Sequence, residues 1–164
     1  MKRLLLVRHA KSSWDFPQLS DFERPLNERG LRDVQTMGQR LKALGIRPEG
    51  IVSSGAKRAL DTAEGMGKIW GESAKNIQMI PALYHADAEA LCRIIKNLPA
   101  HLNQVMLVAH NPGITDLVNQ LAVFSTDNIP TCGVVVIDFE VAQWQQVSAQ
   151  KAQLHLYEYP KKNT

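Results

Sequence analysis

The chain has 164 residues, 45% of them hydrophobic and 21% charged, with 19 lysines and arginines against 16 acidic residues and a formal net charge of +3. That length supports one core burying roughly two thirds of the unfolded surface, and the composition excludes a disordered or fibrous protein. So mild a charge, with no clustered basic face interleaved with aromatics, argues against a nucleic-acid partner, and no stretch approaches the ~20 apolar residues of a membrane span.

The first element is the continuous apolar run RLLLV at 3–7, short enough for a buried strand. It starts so early that no signal peptide is expected, which points to the cytoplasm. After a polar loop, Asn27 can cap a helix that carries Leu31, Val34, Leu41 and Leu44 on one side and stops at Gly45. GIVSS at 50–54 reads as a second strand and 56–70 as a second helix. IQMI at 77–80 is a third strand, ended by Pro81. A third helix sets Leu91, Ile94, Ile95 and Leu98 at helical spacing. VMLVA at 105–109 is another apolar strand, and the helix after it places Ile114, Leu117, Val118 and Leu121 on one face.

The end differs in kind. GVVVIDFE, VAQW, QWQQVSA and LHLYEY predict β structure with a tight connection near 140–143 and antiparallel final strands. The alternation of strands and helices predicts a three-layer α/β fold with a mostly parallel mixed sheet and helices on both faces. One domain over 1–159 and a flexible tail over 160–164 are expected. Cys92 and Cys132 form no CxxC and no cysteine-histidine cluster, so they read as packing residues and indicate neither a disulfide nor structural zinc.

In open α/β sheets, ligands bind beyond the carboxyl ends of the strands, where helix N-termini also point. Those positions hold Arg8 and His9 after the first strand, Ser53, Ser54 and Arg58 after the second, and the run His110, Asn111, Pro112, Gly113 after the fourth. Arginine presents a planar fork of donors matched to phosphate oxygens, so several around one cavity specify a tetrahedral anion. A neutral imidazole among them, its pKa depressed by positive neighbours, is a nucleophile near neutral pH. No carboxylate or cysteine stands at a matching strand end and the arginines would repel a cation, so neither a metal nor another cofactor is expected.

VRHA, SSGAKRALDTA and VAHNPG, in that order along the chain, resemble the histidine phosphatase superfamily, which includes phosphoglycerate mutases and acid phosphatases. The short length and RPLNERG at 24–30 look most like its small phosphohistidine phosphatases of the SixA type. The resemblance implies a phosphoglycerate mutase-like fold, with His9 as the nucleophile that becomes phosphorylated, Arg8 and Arg58 binding the phosphoryl oxygens, and His110 stabilising the group in transfer. It implies a further phosphate-binding arginine at Arg24, whose competing reading is a loop arginine paired with Asp21 or Glu23. Where the family commonly has glycine after the Arg-His pair, this chain has Ala10, so positive φ is not expected there.

The general acid of larger relatives has no evident counterpart. Asp21, Glu23, Asp87 and Glu89 are candidates, although Asp87 also reads as a helix N-cap and Glu89 as a first-turn carboxylate. Lys11, Ser12, Ser13, Ser54 and Thr62 have plain structural readings, and Trp14 and Phe16 could either line the entrance or pin the loop to the core. A missing acid favours P–N substrates, because the nitrogen of phosphohistidine departs readily once protonated. The expected activity is a metal-independent phosphatase acting through a phosphohistidine intermediate on a phosphorylated protein, such as one with a histidine phosphotransfer domain. The alternatives are a phosphomonoesterase for a small phosphorylated metabolite and a non-catalytic phosphohistidine or phosphate-binding module.

Overall fold

A computed structural model describes residues 1–162; of the tail expected over 160–164, Asn163 and Thr164 lie outside the described residues. Strands β1 (Lys2–Arg8), β2 (Gly50–Ser53), β3 (Ile77–Met79), β4 (Gln104–Ala109), β5 (Val134–Phe139) and β6 (Ala152–Glu158) form one sheet in the order β3-β2-β4-β1-β5-β6. β1 to β4 run parallel, and β5 is antiparallel to both its neighbours. The connecting helices are α1 (Glu28–Ala43), α2 (Lys57–Ile69), α3 (Ala88–Lys96) and α4 (Gly113–Gln120). No helix among the described residues is long and apolar enough to cross a membrane.

β1 is apolar throughout because both of its faces are covered. Successive strand residues point to opposite sides, so Leu5 and Val7 pack with Val34, Met37 and Leu41 of α1 and with Ala59, Ala63 and Met66 of α2. Leu4 and Leu6 pack on the other face with Leu91 and Ile95 of α3 and with Ile114, Leu117 and Val118 of α4. Burying each such side chain contributes ~1.5–3 kcal/mol. The result is the three-layer α/β fold expected, with the middle of the sheet sealed and its strand ends open.

RPLNERG acquires a structural meaning. Asn27 caps α1, its Oδ1 accepting the Gly30 N–H at 2.8 Å, while the Asn27 N–H donates to the Lys11 carbonyl at 3.0 Å. Leu26 bridges Ser12. A Cβ on Gly30 would stand 2.2 Å from the Lys11 oxygen, so glycine lets the start of α1 lie directly on the loop that follows β1.

Two expectations are corrected. On α1, Val34 and Leu41 are buried together with Gly30, Met37 and Gly38, whereas Leu31 and Leu44 are 56% and 54% exposed. At helical spacing those two leucines fall on opposite margins of the buried stripe. The segments VAQW and QWQQVSA are not strands. Residues 140–151 make a longer connection with 3-10 turns at Trp144–Gln146 and Ala149–Lys151. Trp144 is buried there and its indole N–H donates to the Leu102 carbonyl at 2.8 Å. Gln146 Oε1 accepts the backbone N–H groups of Ala142 and Gln143, which gives that backbone partners without a ladder.

Candidate active site

Register brings the two histidines together. β1 and β4 pair with Arg8 opposite Ala109, so the next residue on each strand, His9 and His110, emerges at the same edge with ring centroids 5.1 Å apart. β2 lies on the far side of β4 with Ser53 opposite Val108, which carries Ser54 to that edge and starts α2 with Arg58 in its first turn.

His9 is buried, and its Nδ1 lies 2.8 Å from the Ala10 carbonyl oxygen. A carbonyl only accepts, so Nδ1 carries the proton and the neutral ring offers a lone pair at Nε2. Burial lowers the pKa of His9 to about 4, and the charges of Arg58, Arg8 and Arg24 push in the same direction. Above that pH the imidazole is neutral. The Ala10 N–H donates to Thr62 Oγ1 at 2.9 Å, and the Thr62 hydroxyl donates to the Arg58 carbonyl at 2.8 Å, which ties the nucleophile loop to α2. Among the described residues, the non-glycine residues with positive φ are His85, Ala122 and Cys132, so Ala10 needs no glycine geometry.

His110 Nε2 lies 2.8 Å from Ser54 Oγ, which already accepts the Ala56 N–H at 3.2 Å. Ser54 Oγ has a hydroxyl proton to give to Nε2, an arrangement in which His110 carries its ring proton on Nδ1. Burial, then the charges of His9 and Arg58, lower the pKa of His110 to about 3.

Three arginines from three segments surround these rings. Arg8 is steadied by Nη1 donating to the Ile129 carbonyl at 2.8 Å. Arg58 donates through Nη1 to the Asp21 carbonyl at 2.7 Å and through Nη2 to Asp21 Oδ2 at 3.0 Å. Arg24 donates to Ser12 Oγ at 2.8 Å, to the Ser13 carbonyl at 3.3 Å and to Asp21 Oδ1 at 3.2 Å, and its guanidinium lies 3.6 Å from the centre of the Trp14 ring. Arg24 thus stands at the site and also makes the Asp21 pair that was its competing reading. Trp14 is 73% exposed, so it stacks on Arg24 and does not pin the loop to the core.

Among the described residues, the Nε atoms of Arg8, Arg24 and Arg58 and Nδ1 of His110 are buried without a hydrogen-bond partner. Folded proteins pair roughly 90% or more of such groups, and each one left unpaired costs about 1–3 kcal/mol. The four belong to residues grouped about His9, whose pKa the three arginines lower, and three sit on permanently charged groups, so the cluster holds spare donors suited to an anion with several acceptor oxygens. No three metal-ligating side chains converge among the described residues.

Of the candidate acids, Asp87 caps α3 by accepting the Ala90 N–H at 2.8 Å, Glu89 pairs with Arg93 on the exposed face, and Glu23 accepts the Ser20 hydroxyl at 2.8 Å. Only Asp21 borders the site. The Tyr84 hydroxyl, 2.6 Å from its Oδ2, and Arg58 hold that carboxyl well below the usual carboxylate range, so it is ionised and has no proton to donate. Sequence reasoning missed Tyr84, although the strand-end rule applies to it: it follows β3, just after the turn at Pro81–Leu83. Cys132, expected as a packing residue, is fully buried, and its N–H also donates to the carbonyls of Arg8 and His9; no signal in the sequence marks that turn. Burial raises the Cys132 thiol pKa, which suits packing and bracing. A cleft of about 230 Å³ opens beside Asp21, lined also by Trp14, Phe16, Pro17, Leu19 and Arg24. A larger groove of about 400 Å³, lined by residues such as Ile80, Ala90, Ile94 and Leu98, holds none of these groups.

The family model of the histidine phosphatase superfamily (branch 1) matches residues 4–91. An uncharacterized chloroplastic protein of Arabidopsis thaliana is 32% identical over 156 residues, covering 90% of this chain and 71% of that protein. The crystal structure of a candidate phosphohistidine phosphatase SixA from Agrobacterium tumefaciens is 27% identical, covers 97% of this chain and 99% of its own, and superposes with a TM-score of 0.80. A second candidate of the same name, from Nakamurella multipartitia, is 22% identical with a TM-score of 0.82, over 98% of this chain and 96% of its own.

Proposed function

Since the chain belongs to the histidine phosphatase superfamily, we propose that it is a metal-independent phosphatase working through a phosphohistidine intermediate, within a single domain over 1–159, on phosphohistidine of a cytoplasmic signalling protein. The observation that carries this reading is the set of unpartnered donors, Nε of Arg8, Arg24 and Arg58 and Nδ1 of His110, around a neutral His9. Phosphoryl transfer passes through a loose transition state that asks chiefly for alignment and charge stabilisation, and this set supplies both.

In the first step the lone pair of His9 Nε2 forms a bond to phosphorus while the bond to the leaving group breaks and takes its electron pair with it. Arg8, Arg24, Arg58 and His110 hold the three equatorial oxygens. Water oxygen then forms a bond to phosphorus of the phosphorylated His9 as the P–N bond breaks. The P–N pair returns to Nε2, and dihydrogen phosphate leaves with both protons of the water.

Two observations favour a P–N substrate over an ester. Asp21, the carboxylate beside the site, is ionised and has no proton for an alkoxide. The Agrobacterium relative carries a phosphohistidine phosphatase name. The test compares a phosphorylated histidine phosphotransfer domain with a panel of small phosphate monoesters. The protein substrate should lead in kcat/KM by about 10²-fold or more, the scale of a missing general acid; rapid turnover of the esters alone would overturn the choice of substrate.

A further inference from the structure

We infer that Asp21 is the specificity-determining residue of this site, its carboxylate accepting the N–H of a protonated phosphoimidazole and so selecting P–N substrates over phosphate esters. The inference rests on the phosphatase reading above and concerns how that same site chooses its leaving group.

Asp21 stands between the oxyanion holders and the outside. Its Oδ1 accepts from Arg24 Nη2 and its Oδ2 from Arg58 Nη2 and the Tyr84 hydroxyl. A carboxylate offers about four acceptor positions, and these three bonds leave one over. The side chain is 47% exposed and lines the cleft shared with Trp14, Phe16 and Arg24, so it can be reached by the part of a substrate that extends beyond the phosphoryl group. The groups facing it are Arg24 on its own loop, Arg58 on α2, Tyr84 after β3 and, at longer range, His110 after β4. All but His110, which is neutral, are its hydrogen-bond donors.

A phosphoimidazole departs well only when its second ring nitrogen is protonated. The electron pair of the breaking P–N bond then neutralises the ring, and a neutral imidazole leaves; without that proton an imidazolide would have to leave. No proton moves at the moment of cleavage, so the site needs an anion that favours the protonated ring, and a general acid is superfluous. An ionised carboxylate does this, because an opposite charge within reach favours the charged form of its neighbour. The two imidazoles are thereby pushed apart, His9 kept neutral to attack and the substrate ring kept protonated to leave. An ester has no second N–H to offer, and its leaving oxygen would find no proton on the ionised Asp21 carboxylate.

The test is Asp21→Asn, compared with the wild type on phosphoimidazole and on p-nitrophenyl phosphate, whose leaving group needs no proton. Single-turnover transfer to His9 at saturating substrate should fall about tenfold or more for phosphoimidazole, a loss of one strong hydrogen-bond acceptor, with its alkaline limb moved to lower pH. Transfer from p-nitrophenyl phosphate should change much less, and Asp21→Glu should recover part of the selectivity. Equal losses on both substrates, with no shift of the alkaline limb, would show that Asp21 only steadies the arginines. Wild-type protein gives a second reading that depends on no variant: its alkaline limb should lie above the pKa of free phosphoimidazole, and coincidence of the two would also overturn the inference. Failure of wild-type protein to accept phosphoimidazole while turning over esters would instead count against the phosphohistidine substrate.

Discussion

His9→Ala should lower phosphatase turnover by on the order of 10⁴-fold or more, the scale seen when a covalent nucleophile is removed, in steady-state assays at neutral pH. The loss follows from one atom. Nε2 of His9 is the ring nitrogen with a free lone pair, because Nδ1 is committed to the Ala10 carbonyl, while His110 Nε2 is engaged with Ser54. Tungstate should still bind within about tenfold of the wild type, roughly 1.4 kcal/mol, since the three arginines proposed to hold the oxyanion remain. Equal turnover by variant and wild type would remove His9 from the nucleophile's role.

Arg58→Ala should cost about 10²–10³-fold in kcat, the range for removing one preorganised donor from a developing negative charge. In the proposed reaction Arg58 meets the oxyanion, and it anchors Asp21 through two hydrogen bonds, so its removal should weaken both parts of the site. Arg58→Lys should recover only part of the activity. An ammonium keeps the charge but lacks the planar fork that can point Nε inward while both Nη atoms face Asp21. Full activity in the lysine variant would mean that charge alone suffices and that the unpartnered Nε is incidental.

The residues that cluster were legible because of where the chain changes character. Continuous apolar runs such as RLLLV and VMLVA report burial on both faces of a parallel sheet, and the polar residue that ends each run lands at the open edge. Register then makes neighbours of residues about a hundred positions apart, as with His9 and His110. Asp21 and Tyr84 were harder to see. They are single polar residues in short turns, they meet only through tertiary folding, and no periodicity marks either of them. Asp21 came to notice as a candidate acid, but its partners Arg58 and Tyr84 make it an anion, and charge state is a property of neighbours more than of residue type. The alternation in QWQQVSA imitates a strand, yet burial of Trp144 and the Gln146 side chain give that backbone turns.

Trapping the phosphoryl group during turnover tests the central claim most directly. Protein quenched in base after mixing with substrate should carry one acid-labile, base-stable phosphate, mapped by fragmentation to His9, and the His9→Ala variant should carry none. A phosphate on another residue, or full wild-type turnover with no phosphoenzyme formed under single-turnover conditions, would contradict it.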